Sequence, residues 1–124
     1  MKVSFDFDST LSEQKVQEYA KELISRGFEV WIVTSRMGFG KEPKVGWNDD
    51  LFLVAESVGI KKENIHFCCM ADKSEFLNGK GFIFHIDDDN IELSFVKTDT
   101  DVTPIYLYKN KYWKYDCEQA IINR

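Results

Sequence analysis

The chain is poor in the residues that staple, punctuate or anchor proteins. Its 124 residues include three cysteines, two prolines and two histidines. Cys68 and Cys69 are adjacent and Cys117 stands alone, so there is no CxxC pair and no disulfide framework. The three read as small buried thiols of a reducing compartment. No histidine or cysteine spacing suits a zinc site. No apolar run approaches the roughly 18 residues of a membrane span. The segment Met1-Lys2-Val3-Ser4-Phe5-Asp6 puts an acid where a signal peptide needs an apolar stretch. The expectation is a soluble, cytoplasmic protein with no membrane partner. Positive charge is also in deficit: 16 Lys and Arg stand against 21 Asp and Glu, a net charge of −5. That disfavours broad duplex binding, which needs a basic face, and leaves room only for a local basic patch. No repeat, linker or low-complexity tract divides the chain, so residues 1–124 read as one domain.

What is present is an alternation of short apolar runs with amphipathic stretches, the sequence form of a parallel α/β sheet. Strands are expected over 2–7, 28–34, 64–70, 81–86 and 104–108. Between them fall a helix over 12–26, with Val16, Tyr19, Ala20, Leu23 and Ile24 on one face, and a helix capped by Asn48 and stopped by Gly59. A short helix is expected from Asp72, another near 89–96 and a last one near 116–123. The run from Gly81 to Ile86 is nearly all apolar and reads as an interior strand. Pro104 heads the last strand and suits an edge. Five parallel strands with right-handed crossovers make a three-layer α/β/α sandwich. Ligands of such sheets bind beyond the carboxyl ends of the strands.

Those ends are rich in chemistry. The first strand runs into Asp6-Phe7-Asp8-Ser9-Thr10, and strand alternation would point Asp6 and Asp8 the same way. The second ends in Thr34-Ser35-Arg36, the fourth in Asp87-Asp88-Asp89, and Lys73 opens the short helix between strands three and four. Several carboxylates at one rim repel: two like charges about 4 Å apart cost roughly 4 kcal/mol at an effective dielectric of about 20. Either an acid holds a proton or a cation neutralises the group. All-oxygen ligands select a hard cation, and few carboxylates with waters left over suit Mg²⁺. Metal, carboxylate nucleophile, hydroxyl and lysine together describe phosphoryl transfer.

The ordered set resembles the haloacid dehalogenase (HAD) superfamily. The carriers are Val3-Ser4-Phe5-Asp6-Phe7-Asp8-Ser9-Thr10-Leu11, Trp31-Ile32-Val33-Thr34-Ser35-Arg36, Lys73 and Phe84-His85-Ile86-Asp87-Asp88, spanning residues 3–88. The resemblance implies a Rossmann-like HAD sheet and a Mg²⁺-dependent phosphatase working through an aspartyl-phosphate. It implies Asp6 as nucleophile, Asp8 as general acid and then base, Thr34 holding a phosphoryl oxygen, and Lys73 offsetting charge. It also implies metal ligation by Asp6, Asp87 and the backbone carbonyl of Asp8, with Asp88 as a further ligand or support. The register between Asp87 and Asp88 is open, and Asp87 is favoured because it directly follows the apolar run. Ser9 departs from the family pattern, which carries glycine there.

Relatives of this superfamily often insert a cap domain. Here one helix uses residues 11–27, and one loop, one helix and one strand use 35–72, so no cap fits and the site is expected to be open. Open sites imply large substrates. The loop over 36–47 offers Arg36, Lys41, Lys44 and Trp47, which with Thr34 and Ser35 form the candidate substrate-binding set. Trp47 either stacks on a substrate base or packs on the core. The Thr34-Ser35-Arg36 and Asp87-Asp88 forms resemble nucleotidase and polynucleotide-phosphatase branches, implying a nucleotide or nucleic-acid-end phosphate as substrate. A non-catalytic phosphate- or partner-binding module on the same fold, and a phosphoprotein phosphatase, are the alternatives. His66 and His85 read as core or rim histidines. Tyr106, Tyr108, Tyr112, Trp113 and Tyr115 read as closing the sheet edge, with a homodimer contact as the sharper alternative.

Overall fold

A computed structural model describes residues 1–38 and 46–124. Five strands form one parallel sheet: β1 (Lys2–Phe5), β2 (Glu29–Thr34), β3 (Ile65–Phe67), β4 (Phe82–Asp87) and β5 (Thr103–Tyr106). Their spatial order is β3-β2-β1-β4-β5. The chain builds outward from β1 to one side, then crosses back to continue on the other. The switch point therefore lies between β1 and β4, where the crevice of such a sheet opens. Among the described residues five α-helices connect and flank the strands: α1 (Gln14–Ser25), α2 (Asp49–Val58), α3 (Lys73–Leu77), α4 (Asn90–Asp99) and α5 (Trp113–Ile122). The architecture is the three-layer α/β/α, Rossmann-like sandwich expected from the alternation of runs.

Two apolar clusters sandwich the sheet. On one face Val3, Phe5, Ile32, Phe84 and Ile86 pack with Tyr19 and Leu23 of α1, Leu51 and Ala55 of α2, and Trp113 and Cys117 of α5. On the other, Val33 and Phe82 pack with Leu77 of α3 and Val96 of α4. Each fully buried Val, Leu, Ile or Phe among them contributes roughly 1.5–3 kcal/mol. The pairing of β1 with β4 shifts between Lys2↔Phe82 and Ser4↔His85, so β4 carries one residue more than β1 over that stretch. A bulge of this kind reverses which face the following residues take. It moves Phe84 and Ile86 to the α1, α2 and α5 side, and His85 and Asp87 to the side of α3.

Several sequence-based bounds move. β1 stops at Phe5, because Phe7–Leu11 forms a wide turn in which Ser9 is left-handed (φ 56°). β3 is only Ile65–Phe67, since Cys69 and Met70 both take positive φ and bend the chain away. The last helix begins earlier, at Trp113. β4 is interior and β5, which holds Pro104, lies at the sheet edge, as expected. Cys68 and Cys117 are buried, but Cys69 is exposed on that bend, contrary to the reading of three buried thiols. Of the C-terminal aromatics only Trp113 closes the core. Tyr106, Tyr108, Tyr112 and Tyr115 are exposed. Among the described residues no helix is long and apolar enough to cross a membrane.

Candidate metal and phosphate site

The switch point gathers polar groups that sequence separates widely. Asp6 follows β1 and stays on the ladder through its amide, which donates to Ile86 O at 2.8 Å. Its carboxyl is buried, with the residue 5% exposed. Asp87 ends β4 fully buried. Lys73, the first residue of α3, donates from Nζ to Asp6 Oδ1 at 2.9 Å and to Asp87 Oδ2 at 2.6 Å. Glu92 of α4 accepts from the Lys73 amide at 3.1 Å and so fixes the start of α3. Thr10 donates from its hydroxyl to Asp6 Oδ2 at 3.3 Å. Among the described residues no buried side-chain nitrogen or oxygen lacks a partner.

Carboxylate oxygens of Asp6, Asp87 and Asp88 lie within 4.8 Å of one another. Three carboxylates against one ammonium leave an excess of two negative charges if all ionise. The protein alone handles that excess by protonation. Burial, then the neighbouring Asp87 charge, push the Asp6 carboxyl up to about 8, against the pull of Lys73. Burial would raise Asp87 too, but His85 and Lys73 outweigh it and hold that carboxyl well below the usual range. Burial also raises Asp88. Burial acts to lower Lys73, yet Asp6 and Asp87 overcome it and keep the ammonium charged. A carboxyl forced to hold its proton is one that a divalent cation would release, so the donor set and its charge fit a hard ion such as Mg²⁺.

Behind Asp87 runs a buried relay. His85 Nε2 lies 2.9 Å from Asp87 Oδ2, and Ser4 Oγ lies 2.8 Å from His85 Nδ1. Burial lowers the histidine pKa, so the ring is neutral near neutral pH. A carboxylate only accepts, so Nε2 carries the hydrogen and Nδ1 accepts from Ser4. The other oxygen of Asp87 accepts from the Asp89 amide at 3.0 Å. Asp87 is thereby fixed through both oxygens. Reading His85 as a core residue missed this link. The available signal was a pair of polar residues, Ser4 and His85, inside otherwise apolar runs on two strands.

Asp8 departs most from its expected placement. Strand alternation does not reach it, because β1 ends at Phe5 and the backbone turns. Its side chain is 60% exposed, and Arg36 takes both its oxygens, NH2 to Oδ1 at 2.7 Å and Nε to Oδ2 at 3.0 Å. The same guanidinium holds Asp50 at 2.8 and 2.9 Å and lies over the Phe7 ring at 4.9 Å. Asp50, in the first turn of α2, is thus the second support of Arg36. Its pairing with Arg36 lowers its pKa. The Asp8 carboxylate is not among the three that converge.

Thr34 ends β2 buried, and its hydroxyl accepts from the Arg36 amide at 3.2 Å. Ser35 is half-buried and its carbonyl accepts from the Met70 amide at 3.0 Å. Trp47 does not join the core: it is 53% exposed. It lines a cleft of about 680 Å³ with Arg36, Met37 and Met70. Lys41 and Lys44 lie outside the described residues. His66 stacks on Phe76 at 3.7 Å, far in role from the acids.

A scan of protein-family models gives no match to the chain, and searches of curated proteins and of solved structures find no significant similarity.

Proposed function

We propose that the protein is a Mg²⁺-dependent phosphatase of HAD type that hydrolyses a phosphomonoester through Asp6. The observation that carries this is the convergence of Asp6, Asp87 and Asp88 on one spot, with Lys73 bridging the first two. Perturbed carboxyls in such a crevice are the mark of a site that handles charge.

Asp6, Asp87, Asp88 and the Asp8 carbonyl would hold Mg²⁺, which supplies positive charge to Asp6 and to the phosphoryl oxygens. An Asp6 oxygen attacks phosphorus and the bond to the leaving oxygen breaks, giving an aspartyl-phosphate and the alcohol. Asp8, in its protonated form, gives its proton to that oxygen. A water then attacks phosphorus, loses its proton to Asp8 and releases inorganic phosphate, restoring the Asp6 carboxylate. Lys73 pulls Asp6 toward the ionised form that a bound cation would complete, and faces the added charge. Thr34 and Arg36 stand at the neighbouring strand end for phosphoryl oxygens. The substrate class favoured is a nucleotide or nucleic-acid-end phosphate. A cytoplasmic setting and a homodimer remain expectations of the sequence alone.

The direct test is hydrolysis of an aryl phosphate with Mg²⁺ by the wild type and by Asp6→Asn. The expected result is turnover that the variant loses by at least about 10³-fold. Mg²⁺ binding with no hydrolysis across nucleotides, sugar phosphates and phosphopeptides would instead support a binding module.

A further inference from the structure

Resting on the phosphatase proposal, we infer that a basic and aromatic track running from Asp88 to Tyr112 seats single-stranded nucleic acid and delivers its phosphorylated end to Asp6. Two adjoining clefts make the track. One, of about 330 Å³, has Ser9, Glu13 and Asp88 in its wall beside Lys15, Tyr108 and Lys109. The other, of about 500 Å³, continues past Lys109 and Lys111 to Tyr112. They share Lys15, Leu107 and Lys109, so the surface is continuous from the acidic site outward.

The segment that carries it is built rather than incidental. The Leu107 amide donates to Asp87 O at 3.0 Å, tying the turn to the site itself. Asn110 braces the turn with three side-chain bonds: Nδ2 donates to Tyr106 O at 2.7 Å and to Asp116 Oδ2 at 3.1 Å, and Oδ1 accepts from the Tyr112 amide at 3.0 Å. Lys109 is held at φ 53° at its apex.

The chemistry matches one occupant. Among the described residues no ion pair uses Lys15, Lys109 or Lys111, although the chain carries a net charge of −5. Exposed lysines without ion pairs occur elsewhere among the described residues, Lys61 and Lys62 included. What sets these three apart is that they line one continuous cleft leading away from Asp88, a spacing that suits an extended polyanion. Two of them sit over tyrosine rings, Lys109 over Tyr108 at 5.3 Å and Lys111 over Tyr112 at 5.2 Å. Alternating cation and exposed ring is what a strand of phosphates and unstacked bases requires. A phosphopeptide would use the lysines but has no regular partner for the rings. A duplex needs a far wider basic face.

The test is fluorescence anisotropy with a labelled oligothymidylate that lacks a terminal phosphate, with RNA and DNA arms, against the full-length protein. Because that probe has no scissile monoester, binding is scored independently of catalysis. The expected result is salt-sensitive binding that the double variant Lys109→Glu, Lys111→Glu weakens by at least tenfold, about 0.7 being lost from the log–log salt slope per phosphate contact. Tyr108→Ala weakens binding at constant salt slope, and Lys61→Glu, at the opposite end of the sheet, changes nothing. Oligonucleotide binding without phosphatase activity would keep the track and remove the reaction. Hydrolysis of mononucleotides with no oligonucleotide binding would overturn the track alone. It would equally be overturned if an acidic phosphopeptide bound as tightly, or if the lysine variants acted only by converting a dimer to monomer.

Discussion

Arg36 grips Asp8 through both carboxylate oxygens, at 2.7 and 3.0 Å, while its other edge holds Asp50. The proposed acid–base group is therefore neither free nor aimed by β1. It is aimed by an arginine from the next strand end.

Removing that aim should hurt substrates in proportion to their need for a proton. In Arg36→Ala, kcat/KM for an alkyl phosphate is expected to fall by about 10²-fold, and for an aryl phosphate with a good leaving group by much less. Measuring both substrates across wild type and variant checks this. Equal losses would mean that Arg36 only binds phosphate.

His85 should matter to the metal without touching it. His85→Leu removes the hydrogen bond to Asp87 and leaves the Ser4 hydroxyl only its long 3.4 Å bond to the Phe84 carbonyl. Mg²⁺ affinity by calorimetry is expected to drop about 10–100-fold, and stability in urea by roughly 1–3 kcal/mol. His85→Gln, which can still donate, should recover most of the metal affinity. The ring nitrogen shifts give a second readout: the wild type should show a neutral imidazole protonated on Nε2.

The pH dependence of the metal-free protein follows from Asp6. Its folded pKa, raised to about 8, lies above the unfolded value of 3.8. The folded state therefore holds the proton more tightly, and stability falls as pH rises from about 4 through about 8. Asp87 has the opposite sign: its folded pKa is depressed, so its contribution is present above the unfolded pKa and is lost only as strong acid protonates it. Thermal melts at pH 6 and pH 8.5 should differ in metal-free buffer, the higher pH melting lower. Asp6→Asn should remove that difference, and Mg²⁺ should remove it in the wild type. A melting temperature that rises over this range without metal would contradict the charge balance described.

Much of this fold could be read from runs of apolar residues, and the gathering of Asp6 and Asp87 at one rim from the strand ends they occupy, with Lys73 placed nearby at the start of a short helix. The rest was hidden for identifiable reasons. Period-two alternation implied that Asp8 follows Asp6, but the strand ends at Phe5 and Phe7–Leu11 already forms the turn that carries Asp8 away. The one-residue bulge in β4 decides which face His85 and Asp87 take, and no side chain announces it. The role of Asp50 depends on a guanidinium 14 residues away in sequence. The outward tyrosines look like any edge cluster until the loop bonds of Asn110 are seen.

Ser9 itself offers a stability test. A non-glycine residue at φ 56° carries strain of roughly 1 kcal/mol. Ser9→Gly is expected to raise stability by a few tenths to about 1 kcal/mol despite the looser unfolded chain, and Ser9→Val to lower it by more. Denaturant midpoints of the three proteins decide the matter.

The nucleophile can be caught in the act. Rapid acid quench of the wild type turning over an aryl phosphate with Mg²⁺, followed by peptide mass spectrometry, should find one phosphoryl group on the peptide containing Asp6, acid-stable and labile to base. Turnover with no such adduct, or with the phosphoryl group on another residue, would contradict the assignment of Asp6.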